Sequence, residues 1–288
     1  MSSKSQDLSR LALGTVQFGL DYGISNTTGK TNFKEVEKIL IAAGEAGVDT
    51  LDTATGYGDS EAIIGNCNSQ HFNIISKFSG AVRSAKDLNI SVEQSLLNLK
   101  RNSLYGYLAH DADTLIKYPA VWQSLLDLKA KGSIKKIGYS LYLPQQLEQL
   151  LSINYTPEII QIPYNFIDRR FEKYFKHLKS LGCEIHVRSA FLQGLFFLNP
   201  KELTSFFEPV KPLLLELRQH FSGNNEIAAF LMDFVLQSHN IDKLVFGVNT
   251  QIQFYENIQN LLQYPSLVKI NWQGNLPEEI LMPNKWPN

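Results

Sequence analysis

Cysteine is scarce in this chain, and the two that occur are not arranged for cross-linking. Cys67 and Cys183 lie far apart in the 288 residues and form no Cys-x-x-Cys motif. A disulfide framework is therefore not expected, and a reducing compartment such as the cytoplasm is favoured. The six histidines are also scattered, without a His-x-x-x-His or His-x-His pair. We therefore predict no metal site.

Long apolar runs and an excess of one charge are lacking as well. No uncharged apolar stretch approaches the ~20 residues that a membrane-spanning helix needs. The polar N-terminus, Met1–Asp7, has no apolar core of a signal peptide. The formal net charge is -1, so there is no electrostatic reason to expect nucleic acid or an anionic membrane as a partner. We expect a cytoplasmic protein, and the sequence does not indicate its oligomeric state.

A glycine-rich phosphate-binding turn is also missing. The segment after the first predicted strand, Gly14-Thr-Val-Gln-Phe-Gly19, does not have the Gly-x-Gly-x-x-Gly spacing. That spacing is the fingerprint of dinucleotide-binding doubly wound sheets. The open doubly wound fold therefore remains only the alternative interpretation.

What the chain does contain is a repeated alternation of short apolar runs with longer amphipathic segments. Such alternation predicts parallel strands connected by helices. Eight repeats, in a chain near the ~250 residues typical of a (β/α)8 barrel, predict a TIM barrel that spans residues 1–288 as one domain. The predicted strands are Leu11–Thr15, Val48–Asp52, Asn73–Lys77, Tyr105–His110, Ile134–Ser140, Ile159–Pro163, Glu184–Ser189 and Lys243–Gly247.

Two segments are longer than the repeat requires. The first, Ala190–Asn224, follows strand seven, is rich in phenylalanine and contains an extra helix predicted near Pro212–Phe221. Since loops at the carboxyl end of a barrel commonly set substrate choice, this insertion is expected either to shape the substrate site or to cover the barrel. The second is the tail, Lys269–Asn288, which carries Trp272 and Trp286. For the tail the covering role, or a bridge to a partner, is favoured.

Four reactive side chains stand at or just beyond the ends of strands two, three and four. Asp52, Lys77 and His110 each close an apolar run, and Tyr57 follows Asp52 in a glycine-flanked turn. The carboxyl ends of barrel strands converge on one face, where active sites are built. Taken singly, each residue has an ordinary explanation, such as a turn cap or a solvated charge. Their common position predicts a shared site.

These four groups suit the reduction of a carbonyl. On this hypothesis Tyr57 is the general acid, and the ammonium of Lys77 lowers its pKa from the ~10 of a free tyrosine. Asp52 holds Lys77 charged and in place. His110 orients the carbonyl by hydrogen bonding.

The arrangement resembles the Asp, Tyr, Lys and His tetrad of the aldo-keto reductases. Leu13-Gly14-Thr15 is similar to the opening strand of that family, and Asp52-Thr53-Ala54 with Tyr57-Gly58 is similar to its most specific motif. The resemblance implies a NAD(P)H-dependent oxidoreductase acting on a small aldehyde or ketone, a sugar-like carbonyl being one candidate.

The resemblance also assigns residues to NADPH or NADH, which would lie extended across the strand ends. Ser140 and Gln161 would contact the nicotinamide carboxamide, and Tyr164 would lie near the ring or pack in the core with equal probability. Segments beginning at Arg188 and Val245 would hold the pyrophosphate and the adenosine. The complete set is Gly14, Thr15, Asp52, Ser140, Gln161, Tyr164, Ser189, Leu192, Gly194, Gly247, Asn249, Gln253, Glu256 and Asn257.

Three positions depart from the family pattern. Leu141 follows Ser140 where an asparagine is usual, and Phe246 stands where proline is common. Asn249-Thr250 stands where many members have an arginine or lysine for the 2′-phosphate of NADPH. Neither residue can supply a bidentate guanidinium. We therefore predict a reduced preference for NADPH, with NADH usable.

Two other functions stay open at this point. One is a cofactor-binding regulatory subunit with slow or no turnover. The other is a non-redox enzyme on the same barrel, such as an epimerase or lyase that uses Tyr57 and Lys77 as acid and base.

Overall fold

Eight parallel strands form the centre of the molecule and close into a barrel. The computed structural model describes residues 7–264, 270, 272, 274 and 276–287. The strands pair in chain order, and the eighth pairs with the first. This confirms the predicted (β/α)8 barrel and excludes the open sheet. The strands are β1 Leu11–Gly14, β2 Thr50–Asp52, β3 Asn73–Phe78, β4 Leu104–Ala109, β5 Ile134–Ser140, β6 Ile159–Pro163, β7 Glu184–Arg188 and β8 Lys243–Gly247.

Helices follow the strands and pack on the outside of the barrel. Short 3-10 turns join several of them. The α-helices in the described part of the chain are α1 Val16–Gly19, α2 Phe33–Glu45, α3 Ser60–Asn66, α4 Ala85–Leu99, α5 Asp113–Lys117, α6 Pro119–Ala130, α7 Pro144–Ser152, α8 Phe175–Ser180, α9 Lys211–His220, α10 Asn224–Leu236 and α11 Gln251–Gln263. None of them is long and apolar enough to cross a membrane.

The helix ends follow from local chemistry. The side chain of Asn32 accepts the backbone N–H of Glu35 at 3.1 Å and so caps α2. Pro144 occupies the first turn of α7, where its missing N–H costs nothing. Ser84 caps α4, because its side chain accepts the backbone N–H of Asp87 at 3.1 Å.

The alternation of side chains along each strand decides what faces the barrel interior. Leu51, Ile74 and Ile162 belong to the main hydrophobic core between strands and helices. Their neighbours along the strands point the opposite way, since successive strand side chains alternate. Asp52 and Gln161 therefore face the interior, above a small apolar layer of Ile75, Leu108 and Ile159.

The insertion after β7 builds a second hydrophobic core, which we call the insertion cluster. The C-terminal tail packs onto it: Trp286 meets the ring of Phe207 edge to face at 4.9 Å, and Ile280 is 1% exposed. The described part of the tail thus packs on the insertion cluster, and the rest of the tail lies outside the described residues. The cluster consists of Phe166, Leu192, Leu195, Phe196, Phe207, Val210, Leu213, Leu214, Leu217, Phe221, Ile227, Phe230, Leu231 and Ile280.

Candidate active site

A buried ion pair lies at the carboxyl ends of β2 and β3. The ammonium of Lys77 donates to Asp52 Oδ2 at 2.8 Å and to the carbonyl of Thr53 at 2.8 Å. The second carboxylate oxygen of Asp52 accepts from Gln161 Nε2 at 2.7 Å. The side chains of Lys77 and Asp52 are 0% and 4% exposed. Burial lowers the pKa of Lys77, and the charge of Asp52 opposes that shift.

The turn that carries Tyr57 is attached to β3 by hydrogen bonds. The backbone N–H of Thr53 donates to the carbonyl of Ile75, and that of Thr55 donates to the carbonyl of Lys77 at 2.9 Å. Gly19, at the end of α1, lies directly against the turn: a Cβ at Gly19 would stand 1.7 Å from the Tyr57 carbonyl oxygen. Only glycine permits this approach, and it fixes the height of Tyr57 above the barrel.

Tyr57, Lys77 and His110 come together at this end of the barrel. The Lys77 ammonium lies 5.0 Å from the centroid of the Tyr57 ring. The imidazole of His110 meets that ring edge to face, with centroids 5.6 Å apart. The four residues singled out in the sequence are therefore neighbours in the structure.

The pKa of Tyr57 is shifted in the direction opposite to the one expected from the sequence. Burial and the negative charge of Asp52 raise the pKa of Tyr57, while the guanidinium of Arg188 lowers it. Burial is the largest cause, so the pKa of Tyr57 lies above that of a free phenol rather than below it. Burial and the charges of Lys77 and Arg188 lower the pKa of His110 to about 4. Both rings are therefore neutral at pH 7.

A cavity of about 670 Å³ opens above Asp52, Tyr57 and His110. It runs past the segment after β7 to the start of α11. Twelve of the fourteen residues expected around the cofactor line it, namely Gly14, Thr15, Asp52, Gln161, Ser189, Leu192, Gly194, Gly247, Asn249, Gln253, Glu256 and Asn257.

Ser140 and Tyr164 do not line the cavity. Tyr164 follows Ile162 by two residues and so points outward with it, into the main core. There it stacks on Phe234 at 5.6 Å, and its hydroxyl donates to Glu172 at 3.3 Å. Of the two interpretations of Tyr164, the structure favours core packing. Ser140 pairs in register with Gln161 and is 3% exposed.

The segment after β7 has an unusual backbone. Ser189, Leu192 and Gln193 have positive φ angles of 65°, 45° and 52°, and Gly194 has one of 94°. A Cβ at Gly194 would stand 1.9 Å from Ser25 Oγ. Such left-handed conformations are costly outside glycine and concentrate at functional sites. This segment forms the cavity wall between Tyr57 and α11.

The cavity also holds a polar atom that lacks a partner. Gln17 Oε1 is buried and has no hydrogen bond among the described residues, and Gln17 lines the cavity beside Gly247. Buried polar groups are normally paired. A ligand with hydrogen-bond donors, such as a nicotinamide dinucleotide, fits this unpaired acceptor.

Three backbone donors at the start of α11 are already occupied. Glu35, on α2, accepts the N–H of Gln251 at 2.8 Å, and Thr250 Oγ1 accepts that of Gln253 at 3.1 Å. The N–H of Asn249 donates to the side chain of Gln253 at 2.7 Å. Lys243 points to the opposite end of the barrel, where its ammonium contacts Asp49. No arginine or lysine lines this part of the cavity among the described residues.

Sequence reasoning missed some of the lining. Tyr22 and Tyr142 face the cavity from the loops after β1 and β5, and Arg188 was considered only as part of a cofactor segment. Asn224, Asn225 and Asn284 add amides from the insertion side and the tail. Of these residues, only Tyr142 could have been found from the sequence, because it lies just past the end of a strand. His186 is fully buried within the barrel, 3.3 Å from Glu184, and does not line the cavity.

Comparison with known proteins agrees with this geometry. The model of the aldo/keto reductase family matches residues 10–264. The chain belongs to the aldo/keto reductase family. In the described residues no cluster of histidine, cysteine or acidic side chains is placed to hold a metal ion.

Individual relatives are distant. Aldo-keto reductase YhdN of Bacillus subtilis is 27% identical over 183 residues, which cover 58% of this chain and 53% of that protein. Aldo-keto reductase AKR2E4 of Bombyx mori is 26% identical over 199 residues, covering 63% and 62%. The matches thus span little more than half the length of these relatives. Aldo-keto reductase AKR11C1 from Bacillus halodurans, in its holo form, superposes with a TM-score of 0.70 at 20% identity, covering 88% of this chain and 86% of that one. This likeness shows the shared fold.

Proposed function

We propose that this protein reduces the carbonyl group of a small aldehyde or ketone to an alcohol, with a nicotinamide dinucleotide as the hydride donor. The observation that carries the proposal is the buried Lys77–Asp52 pair beneath Tyr57, at the mouth of the cavity. Burying two charges costs desolvation energy. A buried ion pair at the mouth of a cavity therefore indicates a functional role. Membership of the aldo/keto reductase family supports the same reaction. Since Cys67 and Cys183 are buried free thiols, we place the reaction in the reducing cytoplasm.

Tyr57 would supply the proton. Its raised pKa keeps the hydroxyl protonated at neutral pH, so it can donate to the carbonyl oxygen. The bound cofactor would supply a hydride to the carbonyl carbon. The phenolate left on Tyr57 then lies near the guanidinium of Arg188, which stabilises it until it is reprotonated.

His110 would hold the carbonyl. With a pKa of about 4 its imidazole is neutral at pH 7, so one ring nitrogen carries a proton and can donate a hydrogen bond. Asp52 would keep Lys77 charged, and Gln161 would keep Asp52 in place. Gln161 lines the cavity as well, so its amide oxygen can accept from the nicotinamide carboxamide.

We further propose that NADH is preferred over NADPH. A 2′-phosphate at the start of α11 would need free amide donors or a cationic side chain. The N–H groups of Gln251 and Gln253 are already bonded, and the acceptor on Gln251 is the carboxylate of Glu35. That negative charge, together with the absence of an arginine at Asn249, disfavours the phosphate.

Cofactor binding tests this preference without turnover. Dissociation constants for NADH and NADPH are measured by quenching of protein fluorescence in the wild type, Glu35→Gln and Asn249→Arg. NADH is expected to bind more tightly to the wild type, and both substitutions should tighten NADPH binding at least tenfold, because each removes repulsion or adds a cation. Glu45→Gln, at the other end of α2, is the matched control. A hundredfold preference of the wild type for NADPH would contradict the proposal.

The reaction itself is tested with a panel of aldehydes and ketones. Loss of NADH absorbance in the presence of a carbonyl, with the alcohol identified as product, is the expected result. Tight cofactor binding without turnover on any carbonyl would favour the regulatory subunit instead. Isomerisation or elimination without a change in cofactor would favour the non-redox enzyme.

A further inference from the structure

Arg188 places a cation without a carboxylate partner in the catalytic cavity. It ends β7, is partly buried and lines the cavity with Tyr57 and His110. Its guanidinium donates to the carbonyl of Leu141 at 2.9 Å and to Ser189 Oγ at 3.3 Å. No carboxylate of the described residues lies within 4.0 Å of it. Partly buried arginines usually have such a partner.

The side chain is held in place by neutral groups. The guanidinium lies 4.3 Å from the centroid of the Tyr142 ring, in a cation–π arrangement. Of the five N–H donors of an arginine, the two hydrogen bonds use two. Three donors are therefore left for a ligand, on a group whose orientation is already fixed.

The surrounding charges do not cancel that of Arg188. The Asp52–Lys77 pair has no net charge, and Tyr57 and His110 are neutral at pH 7. The buried Asp168 carboxylate also interacts with Arg188, but it is paired with Arg170 at 2.8 Å. Glu256 on α11 lines the cavity at the end assigned to the adenosine. The catalytic end of the cavity thus has an uncompensated positive charge.

We propose that Arg188 binds an oxyanion of the substrate, so that the preferred carbonyl compounds are anionic: aldehydes or ketones with a carboxylate or a phosphate. The inference rests on the proposed carbonyl reduction at the same site. A planar guanidinium with three free donors matches the two oxygens of either group. Binding this end of the substrate would orient its carbonyl towards Tyr57 and His110.

Matched substrate pairs test the inference. The carboxylate arm compares 4-carboxybenzaldehyde with 4-nitrobenzaldehyde, and the phosphate arm compares glyceraldehyde 3-phosphate with glyceraldehyde. We expect wild-type kcat/KM to favour the anionic member of at least one pair tenfold or more, mainly through KM, because a charge-assisted hydrogen bond is involved. The pair with the larger ratio of anionic to neutral kcat/KM shows whether Arg188 prefers a carboxylate or a phosphate.

Two substitutions separate charge from structure. Arg188→Gln keeps a donor for the Leu141 carbonyl but loses the charge. It should abolish the preference, lowering kcat/KM for the anionic aldehyde at least tenfold more than for the neutral one. Arg188→Lys keeps the charge and should retain part of the preference. Arg83→Met, at an exposed position outside the cavity, is the control and should change neither ratio. Benzoate binding to the NADH-bound protein, measured by calorimetry against benzamide, gives a readout that does not need turnover.

The outcomes distinguish this inference from the proposed function. Reduction of neutral and anionic members at equal kcat/KM by the wild type would overturn the role of Arg188 and leave carbonyl reduction intact. An equal loss for both members in Arg188→Gln, together with weaker NADH binding, would assign Arg188 to the cofactor and also overturn it. Failure to reduce any carbonyl would overturn the proposed function and this inference together.

Discussion

Replacement of Lys77 by methionine should destabilise the barrel strongly, although the two side chains have similar volume. The substitution leaves the Asp52 carboxylate, 4% exposed on its side chain, with only the Gln161 amide as a partner. It also removes the donor to the Thr53 carbonyl. Breaking a buried pair by removing one partner costs about 3–5 kcal/mol. We expect a loss of at least about 3 kcal/mol in the free energy of unfolding at neutral pH.

Urea unfolding at neutral pH, followed by circular dichroism, measures this loss. Lys129→Met removes a partly exposed ion pair with Glu158 and should cost less than about 1 kcal/mol. The double variant Asp52→Asn, Lys77→Met should lose less stability than the summed losses of the two single variants. In the double variant no buried charge is left without its partner. A loss below about 1 kcal/mol for Lys77→Met would refute this reasoning.

Two further predictions concern the cavity wall and His110. Gly194→Ala should weaken NADH binding at least tenfold in fluorescence titrations and lower the free energy of unfolding by about 1–2 kcal/mol. The reason is that Gly194 has a positive φ and that a Cβ there would meet Ser25 Oγ. Gly223→Ala, where a Cβ meets no atom, is the control. Because burial lowers the pKa of His110 to about 4 in the folded state, against ~6.5 in the unfolded chain, stability should fall as the pH drops through that window. His110→Gln should remove up to about 3 kcal/mol of this pH dependence in urea unfolding, and an unchanged slope would contradict the lowered pKa.

The barrel was predictable because its signals are local. Each strand is a short apolar run, and reactive residues directly after strands such as β2 and β3 must meet at one face. The helix α10, Asn224–Leu236, was missed for a physical reason. It is buried on several sides between the barrel and the insertion cluster, so its sequence is apolar without a clear helical period.

Other properties of the site depend on contacts between distant segments. Glu35 and Gln251 are 216 positions apart, and no local pattern links the acid to the start of α11. The direction of the pKa shift of Tyr57 depends on its burial and on the nearby charge of Asp52, against which Arg188 acts. The outward direction of the Tyr164 side chain could not be predicted from the sequence. It depends on which residues of β6 face the interior of the barrel.

The role of Tyr57 as proton donor is tested most directly by Tyr57→Phe. The measurement is kcat for reduction of an aldehyde at saturating NADH, beside the NADH dissociation constant of the same preparation. The account predicts a fall in kcat of about 10²–10⁴-fold, as expected for loss of a general acid, with NADH binding changed less than threefold. Turnover within tenfold of the wild type by the folded variant would contradict it.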